Sequence, residues 1–452
     1  MAQLLIKNGI IITMNSAREI LKSDILIQDN KIKEIGTNIK CFPEKEIDAS
    51  NLVIIPGFIQ PHIHLTQTLF RNLGDDLELL DWLKKIIWPL EAGHFFESNK
   101  ISATLGIAEL IMSGTTSIID MGTVNHTQAI CETVKATGYR AVVGKCMMDH
   151  GTEVPKDLME NTEDSIKQSI DLMNKWHDCA NGRIKYAFAP RFVVSCSEDL
   201  LLKVRDIALH NNVMIHTHAS ENIEEIALVE KERGTRNIKY LEKLGLTGEN
   251  LVLAHCVWLD QDEMKILRNT GTKVVHCPGS NLKLASGIAR IPELLNMKVN
   301  VSLASDGAAC NNNLDIFSEM RYAALIQKAR LSSSTILPAE QIFEIATLGG
   351  AKAMGMEHEL GSIEKGKKAD IILMDLKKIH TSPGIKRDII SQIVYSATSH
   401  NVHTTIVDGK ILMQNRKLTT INIKDTINQA EKICKKLFML NTIEDFVKSW
   451  KF

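Results

Sequence analysis

No run in this 452-residue sequence stays apolar for the roughly 20 residues that a membrane-spanning helix needs. The opening stretch MAQLLIKNGIIITMN has one early lysine and an apolar run broken at Asn8 and Gly9, so it lacks the apolar region of a secretory signal. Cysteine pairing is equally scarce. The nine cysteines, Cys41, Cys131, Cys196 and Cys310 among them, are odd in number and scattered, with no CxxC pair, which argues against a disulfide framework and for a reducing compartment. The cytoplasm is the expected location. Neither sign of charge predominates: 53 Lys and Arg stand against 54 Asp and Glu, a formal net charge of -1, so no bulk field draws nucleic acid or an anionic membrane. Glycine-rich phosphate fingerprints, internal repeats and low-complexity tracts are missing. The partner these absences leave is a small molecule.

What is present is the material of a large core, with 44% hydrophobic and 24% charged residues. Residues 1–56 read as short strands with turns, over Leu4 to Asn8, Ile10 to Met14, Ile25 to Asp29, Lys31 to Ile35 and Leu52 to Ile55. The same style returns in ADIILMDL (369–376) and in HTTIVDGKILMQ (403–414), the latter folded at an Asp408-Gly409 hairpin turn. The two chain ends are therefore expected to form one small β-sandwich domain, from residues 1–56 and 359–420. Between them, residues 57–358 alternate apolar strand-like runs with amphipathic helical stretches, the pattern of βα units. Eight runs can be counted: GFIQPHIHL, TTSIIDMG, YRAVVGKCM, IKYAFAPRF, VMIHTHAS, LVLAHCVWL, KVVHCPGSN and NVSLASDG. Helices are expected between them at Asn99 to Met112, Leu200 to His210, Glu221 to Leu244 and Asp260 to Asn269. Eight runs point to an α/β fold, a (β/α)8 TIM-type barrel. Residues 421–452 read as C-terminal helices.

The polar residues that are costly in apolar strands all fall at the C-terminal ends of these runs, where a barrel places its active site. His62 and His64 are two apart, so a strand points both imidazoles to one face. His216 and His218 repeat the spacing. His255 ends the sixth run, His276 the seventh and Asp306 the eighth. One buried histidine is most often a satisfied core residue. A set converging on one barrel mouth is different, because each unpaired polar group would cost about 1–3 kcal/mol, and a divalent cation held by neutral imidazoles and a carboxylate removes that cost. Such donors suit one zinc ion, with iron as second choice.

The motifs PGFIQPHIHL, HTHASE, AHC, HCPGSNLKLASGIA and ASDGAACNNNLD resemble the amidohydrolase superfamily. Within it they are similar to the branch of methylthioadenosine/S-adenosylhomocysteine/5′-deoxyadenosine deaminases, guanine deaminase and s-triazine hydrolases, over nearly the whole chain. The resemblance implies hydrolytic removal of an amino group from a purine-like heterocycle, most closely an adenosine derivative. It implies His62, His64 and His218 as metal ligands, with Asp306 as fourth ligand and acceptor of a proton from the attacking water, and His216 as a supporting neighbour. Glu221 matches the general acid/base that protonates a ring nitrogen, and His255 matches a histidine that orients the nucleophile. The lysine that bridges two metals in relatives is absent at the end of the fourth run, where Pro190-Arg191-Phe192 stands, and this favours one metal.

For the substrate, Glu91 and Arg140 match positions that bind ribose hydroxyls and the 5′ substituent, and Ser280 to Ala289, with Ser280 and Asn281, matches a substrate loop; His276 belongs with these candidates. Gln67 and Arg191 instead look like guanine deaminase, and a Gln at the first place also occurs in triazine hydrolases. Plainer readings exist: Arg191 as a barrel-mouth ion pair, Gln67 as a helix-start residue, Glu91 and Arg140 as partners of each other. Trp82, Trp88 and Met147 read as core or pocket wall, and Lys84-Lys85 and Glu224-Glu225 as solvated helix faces. The alternatives to an adenosine deaminase are a guanine, oxopurine or pterin deaminase, a triazine (chloro)hydrolase, and a catalytically dead barrel scaffold. A homo-oligomer, dimer or tetramer, is expected.

Overall fold

In the computed structural model, which describes residues 3–151, 153–384 and 388–440, the strands fall into two sheets. The first takes β1 (Gln3–Ile12), β2 (Ile20–Gln28), β3 (Lys31–Gly36), β4 (Lys45–Asp48) and β5 (Val53–Pro56) from the N-terminal end. The second takes β6 (Phe58–Ile63), β7 (Thr115–Met121), β8 (Arg140–Met147), β9 (Ile184–Pro190), β10 (Met214–Ala219), β11 (Leu251–His255), β12 (Lys273–His276) and β13 (Val301–Leu303). The C-terminal end returns β14 (Ile371–Met374), β15 (Val402–Val407), β16 (Lys410–Gln414) and β17 (Lys417–Leu418) to the first sheet, where β14 pairs antiparallel with β5.

The two strands expected before Met14 are one strand with a bulge. Asn8 takes the left-handed conformation, φ +64°, and the register with β2 shifts between Ile6 and Gly9. Asn8 and Gly9 do break the apolar run, as a bend in β1 that lets its first half pair with β4 and its second with β5. The Asp408-Gly409 turn forms as expected, both residues at positive φ, between the antiparallel β15 and β16. The sheet curls until this turn meets the β2–β3 turn, where Asn30 Nδ2 donates to Asp408 Oδ1 at 3.2 Å. Ile6, Ile25, Ile32, Ile371 and Ile406 fill the space enclosed.

The second sheet runs β6 to β13 in chain order, every neighbour parallel. Gln60 on β6 accepts the Ser305 N–H just past β13 at 2.8 Å, linking the last strand to the first in an eight-stranded TIM-type barrel. Its strands read as unbroken apolar runs because both faces are covered. Gly57 joins the sheets, and a side chain there would lie 2.1 Å from Thr116 Oγ1. The helix expected over Glu221 to Leu244 is two, Ile223–Arg233 and Asn237–Lys243, parted where Gly234 takes φ +73° as a C-terminal cap. The helix Ile423–Leu440 begins the expected C-terminal helices; residues 441–452 lie outside the described residues. Among the described residues no helix is long and apolar enough to cross a membrane.

One expected site residue is displaced by this architecture. Arg140 is the first residue of β8, at the opposite end from the mouth, so it is not in reach of a ligand there. Its guanidinium donates to Asp370 at 2.7 and 3.0 Å and to Asp408 at 2.9 Å, all three buried, and ties the barrel floor to the terminal sheet.

Candidate metal centre

The strand ends deliver their polar side chains to one point because a period of two keeps His62 and His64, and His216 and His218, on the barrel axis side. Four non-glycine residues at these ends hold left-handed backbone: Ser220 at φ +54°, His255 at +73°, Cys256 at +49° and Asp306 at +65°. Conformations of this kind cost about 1–3 kcal/mol each and gather where geometry is imposed by function.

Hydrogen bonds on the far side of each ring fix the tautomers. His64 Nδ1 donates to Met121 O at 2.8 Å and His218 Nδ1 to Arg191 O at 2.7 Å. His216 Nδ1 donates to Val252 O at 3.1 Å, which leaves His216 Nε2 as acceptor for His62 Nδ1 at 2.8 Å. In all three of His62, His64 and His218 the lone pair therefore sits on Nε2. These lone pairs converge. His64 Nε2 and His218 Nε2 face each other at 3.3 Å, and Asp306 Oδ1 lies 3.2 Å from His62 Nε2 and 3.5 Å from His64 Nε2. His62 Nε2 is buried and has no hydrogen-bond partner.

Lone pairs do not approach one another in a buried site without something between them. Zinc bound tetrahedrally to nitrogen at about 2.0–2.1 Å gives ligand–ligand edges of about 3.3–3.4 Å, which the separations match. The donor set thus fits a divalent cation. Burial holds the histidines neutral, with His64 lowered to about 4 and His62 and His218 also lowered. Burial opposes the charge on Asp306, yet His62, His255 and His64 together keep it ionised well below the usual carboxylate range.

A second group of atoms flanks the first. Glu221 Oε2 lies 3.4 Å from His255 Nε2, which lies 3.8 Å from Asp306 Oδ2. Burial raises Glu221 to about 7, so it exchanges a proton near neutrality. Burial would lower His255, but the carboxylates of Glu221 and Asp306 outweigh it and raise it. Ser280 Oγ donates to Asp306 Oδ2 at 2.8 Å, and Asn281 Oδ1 accepts from His255 Nδ1 at 2.9 Å. Ser280 and Asn281 thus brace the site from behind. His276 is buried with neither ring nitrogen partnered, and burial lowers it to about 3.

The pocket beside these groups is lined by Gln67, Arg191, Phe192 and Leu284 together with Leu79, Trp82 and Leu83. The pocket is a cleft open on one side, with an empty volume of about 440 Å³. Arg191 Nη1 reaches Glu91 Oε2 at 2.5 Å, and Gln67 Nε2 reaches Glu91 Oε1 at 2.9 Å. Burial disfavours the Glu91 charge, but Arg191 and Gln67 hold its carboxyl below the usual range.

Sequence reasoning missed several contributors. Glu225, read with Glu224 as solvated, is buried; its carboxylate accepts the Glu221 N–H at 2.7 Å, because it is the third residue of a capping box on Asn222. The S/T/D/N-x-x-E signature, Asn222 to Glu225, could have shown this. Asp120 accepts the Leu65 N–H at 2.7 Å and so fixes the turn after His64. Asp120, a carboxylate near the end of the second apolar run, carries the same signal as the histidines.

Comparison with known proteins places these features in a family. The amidohydrolase family model matches residues 53–412. The chain is 42% identical over 435 residues to 5′-deoxyadenosine deaminase of Methanobrevibacter smithii, covering 96% of this chain and 98% of that protein. It is 39% identical to 5-methylthioadenosine/S-adenosylhomocysteine deaminase of Thermococcus onnurineus, over 92% and 95% of the two chains. Its fold is similar to that of a zinc-bound adenosine deaminase from Xanthomonas campestris, with a TM-score of 0.91, 30% identity, and 97% and 99% of the chains covered.

Proposed function

The chain belongs to the amidohydrolase family, and on that premise we propose that it is a hydrolytic deaminase of an adenosine derivative, of the 5′-deoxyadenosine, methylthioadenosine or S-adenosylhomocysteine class, releasing ammonia. The observation that carries the reading is the convergence of three Nε2 lone pairs and Asp306 Oδ1 beside the Glu221–His255 pair. His62, His64, His218 and Asp306 would hold one divalent cation, zinc by preference. When bound, such a cation lowers the pKa of water from about 15.7 to about 7 and so supplies a nucleophile at neutral pH.

The chain's own groups do the rest. Asp306 accepts the proton of the attacking water, since its carboxylate remains ionised in the folded site. Glu221, poised near 7, delivers its proton to the ring nitrogen beside the amine-bearing carbon; the water proton taken by Asp306 passes to the departing amine, and Glu221 recovers the remaining hydroxyl proton as the carbonyl forms. His255, its Nδ1 committed to Asn281, keeps Nε2 toward the reacting carbon and steadies the charge that develops there. Leu79, Trp82 and Leu83 exclude bulk water once the substrate is in.

A second reading rests on one observation: Glu91 is already engaged by Arg191 and Gln67, an arrangement that leaves Arg191 facing the pocket as a donor for an oxo-purine edge. Ammonia release from 5′-deoxyadenosine, methylthioadenosine, S-adenosylhomocysteine, adenosine, guanine, pterins and triazines separates the two. Turnover of the adenine nucleosides is expected, and ammonia from guanine alone would overturn the first reading.

A further inference from the structure

The turns that follow β12 and β13, which carry Ser280, Asn281 and Asp306, meet on a single buried carboxyl group. Glu319 stands on the helix Ile316–Leu331 and is 1% exposed. Its Oε2 accepts the Gly279 N–H at 2.9 Å, and its Oε1 accepts from Asn311 Nδ2 at 2.8 Å. Gly279 precedes Ser280, which donates to Asp306, and Asn281, which accepts from His255. Asn311 Nδ2 also donates to Ser305 O at 2.7 Å, the carbonyl directly before Asp306.

The contact is built closely. A Cβ at position 279 would fall 2.5 Å from Glu319 Oε1 and 2.6 Å from Asn311 Nδ2, so glycine is required there for as long as the carboxylate is present. Burying a carboxyl carries a desolvation cost, which an apolar side chain of the same length would avoid while filling the space. It would not align the two turns, because only a group with two acceptors can take an N–H from each.

We propose that Glu319 is a positioning residue, which through Gly279 and Asn311 aims Ser280 at Asp306 and Asn281 at His255. It touches neither substrate nor cation. Its effect on turnover rests on the function proposed above, while its effect on metal binding does not.

The test uses the zinc-loaded full chain and Glu319→Gln, which keeps the shape but offers an amide N–H₂ to one of the two donors; Glu319→Ala is the harsher companion. Zinc affinity is read by chelator competition, and kcat and KM by ammonia release from 5′-deoxyadenosine. Outer partners of ligands are worth about 10- to 100-fold in affinity or activity, so Glu319→Gln is expected to bind zinc at least about 10-fold more weakly and to lose kcat by a similar factor with KM nearly unchanged. Combined with Asn281→Ala, the kcat losses should fall short of multiplying, because both remove one chain of contacts. A Glu319→Gln chain that melts lower yet binds zinc and turns over like wild type would make Glu319 a packing residue, and fully multiplying losses would cut its link to His255. Should wild type release no ammonia at all, the substrate reading fails, and zinc competition alone still decides the role of Glu319.

Discussion

Arg191 Nη1 lies 2.5 Å from Glu91 Oε2 with both side chains buried, so the carboxylate assigned to sugar hydroxyls already has a cationic partner. A nucleoside hydroxyl would add to this pair as a further donor to Glu91. Glu91→Gln keeps the shape and replaces a charge-assisted contact by a neutral one, a difference of about 1–1.5 kcal/mol. We expect kcat/KM for 5′-deoxyadenosine to fall roughly 10-fold, while turnover of any free purine base accepted by the enzyme stays within a factor of about two. Equal losses on both would assign Glu91 to holding Arg191 rather than to the sugar.

The metal centre predicts stoichiometry and linkage. Elemental analysis should find one zinc or iron per chain, since the Nε2 atoms and Asp306 Oδ1 make one set with 3.2 to 3.5 Å edges. His64→Ala should lose metal and activity together. Chelation should lower the melting temperature of wild type, because a ligand present at 100 times its Kd stabilises the fold by about 2.7 kcal/mol, and His64→Ala should not respond. Two metals per chain would be incompatible with the site described.

Glu221 separates proton transfer from metal binding. Glu221→Gln should keep its metal and lose kcat by roughly 10²–10⁴, because an amide moves no proton. It should also change the pH dependence of stability. Burial raises the folded Glu221 from 4.5 to about 7, so between those values the fold binds a proton that the unfolded chain has released. The stabilisation is fully present below about 4.5 and lost as pH rises through 7. In metal-free protein, urea denaturation should show Glu221→Gln gaining on wild type between pH 4.5 and 8 by an amount on the order of 3 kcal/mol. A difference that does not change with pH would place Glu221 in water rather than in a buried site.

Most of the barrel was legible because strands covered on both faces must be apolar throughout, and a histidine in such a run stands out. The pairs His62, His64 and His216, His218 were legible for the same reason, a spacing of two meaning one face. What the sequence hides is contact between distant segments made by ordinary residues. Glu319 reads as any glutamate on a helix, and its partners Gly279 and Asn311 lie 40 and 8 residues away, hydrogen-bonded to it only in the fold. Sequence likeness around GYRAV suggested a ligand contact for Arg140, although the arginine precedes its apolar run instead of following it. Seven steps of about 3.3 Å separate it from Met147 at the mouth end, roughly 23 Å along β8.

That displacement yields the last prediction. Arg140 bonds to Asp370 through Nε and Nη2 and to Asp408 through Nη2, and the Asp408 N–H donates to Asp370 Oδ1 at 2.7 Å. Removing Arg140 takes from Asp370 its cationic partner and leaves Asp408 only the longer ion-pair contacts to Arg183 at 3.8 Å and Lys368 at 3.9 Å; breaking a buried pair in this way costs about 3–5 kcal/mol. Arg140→Met should therefore lower the unfolding free energy read from urea titration by that amount, while the folded fraction keeps wild-type KM for 5′-deoxyadenosine and wild-type metal content. The double variant Arg140→Met with Asp370→Leu should recover part of the loss, because replacing a buried pair by apolar groups is milder than breaking it. A rise in KM without loss of stability would return Arg140 to the substrate site, against the direction in which its guanidinium is bound.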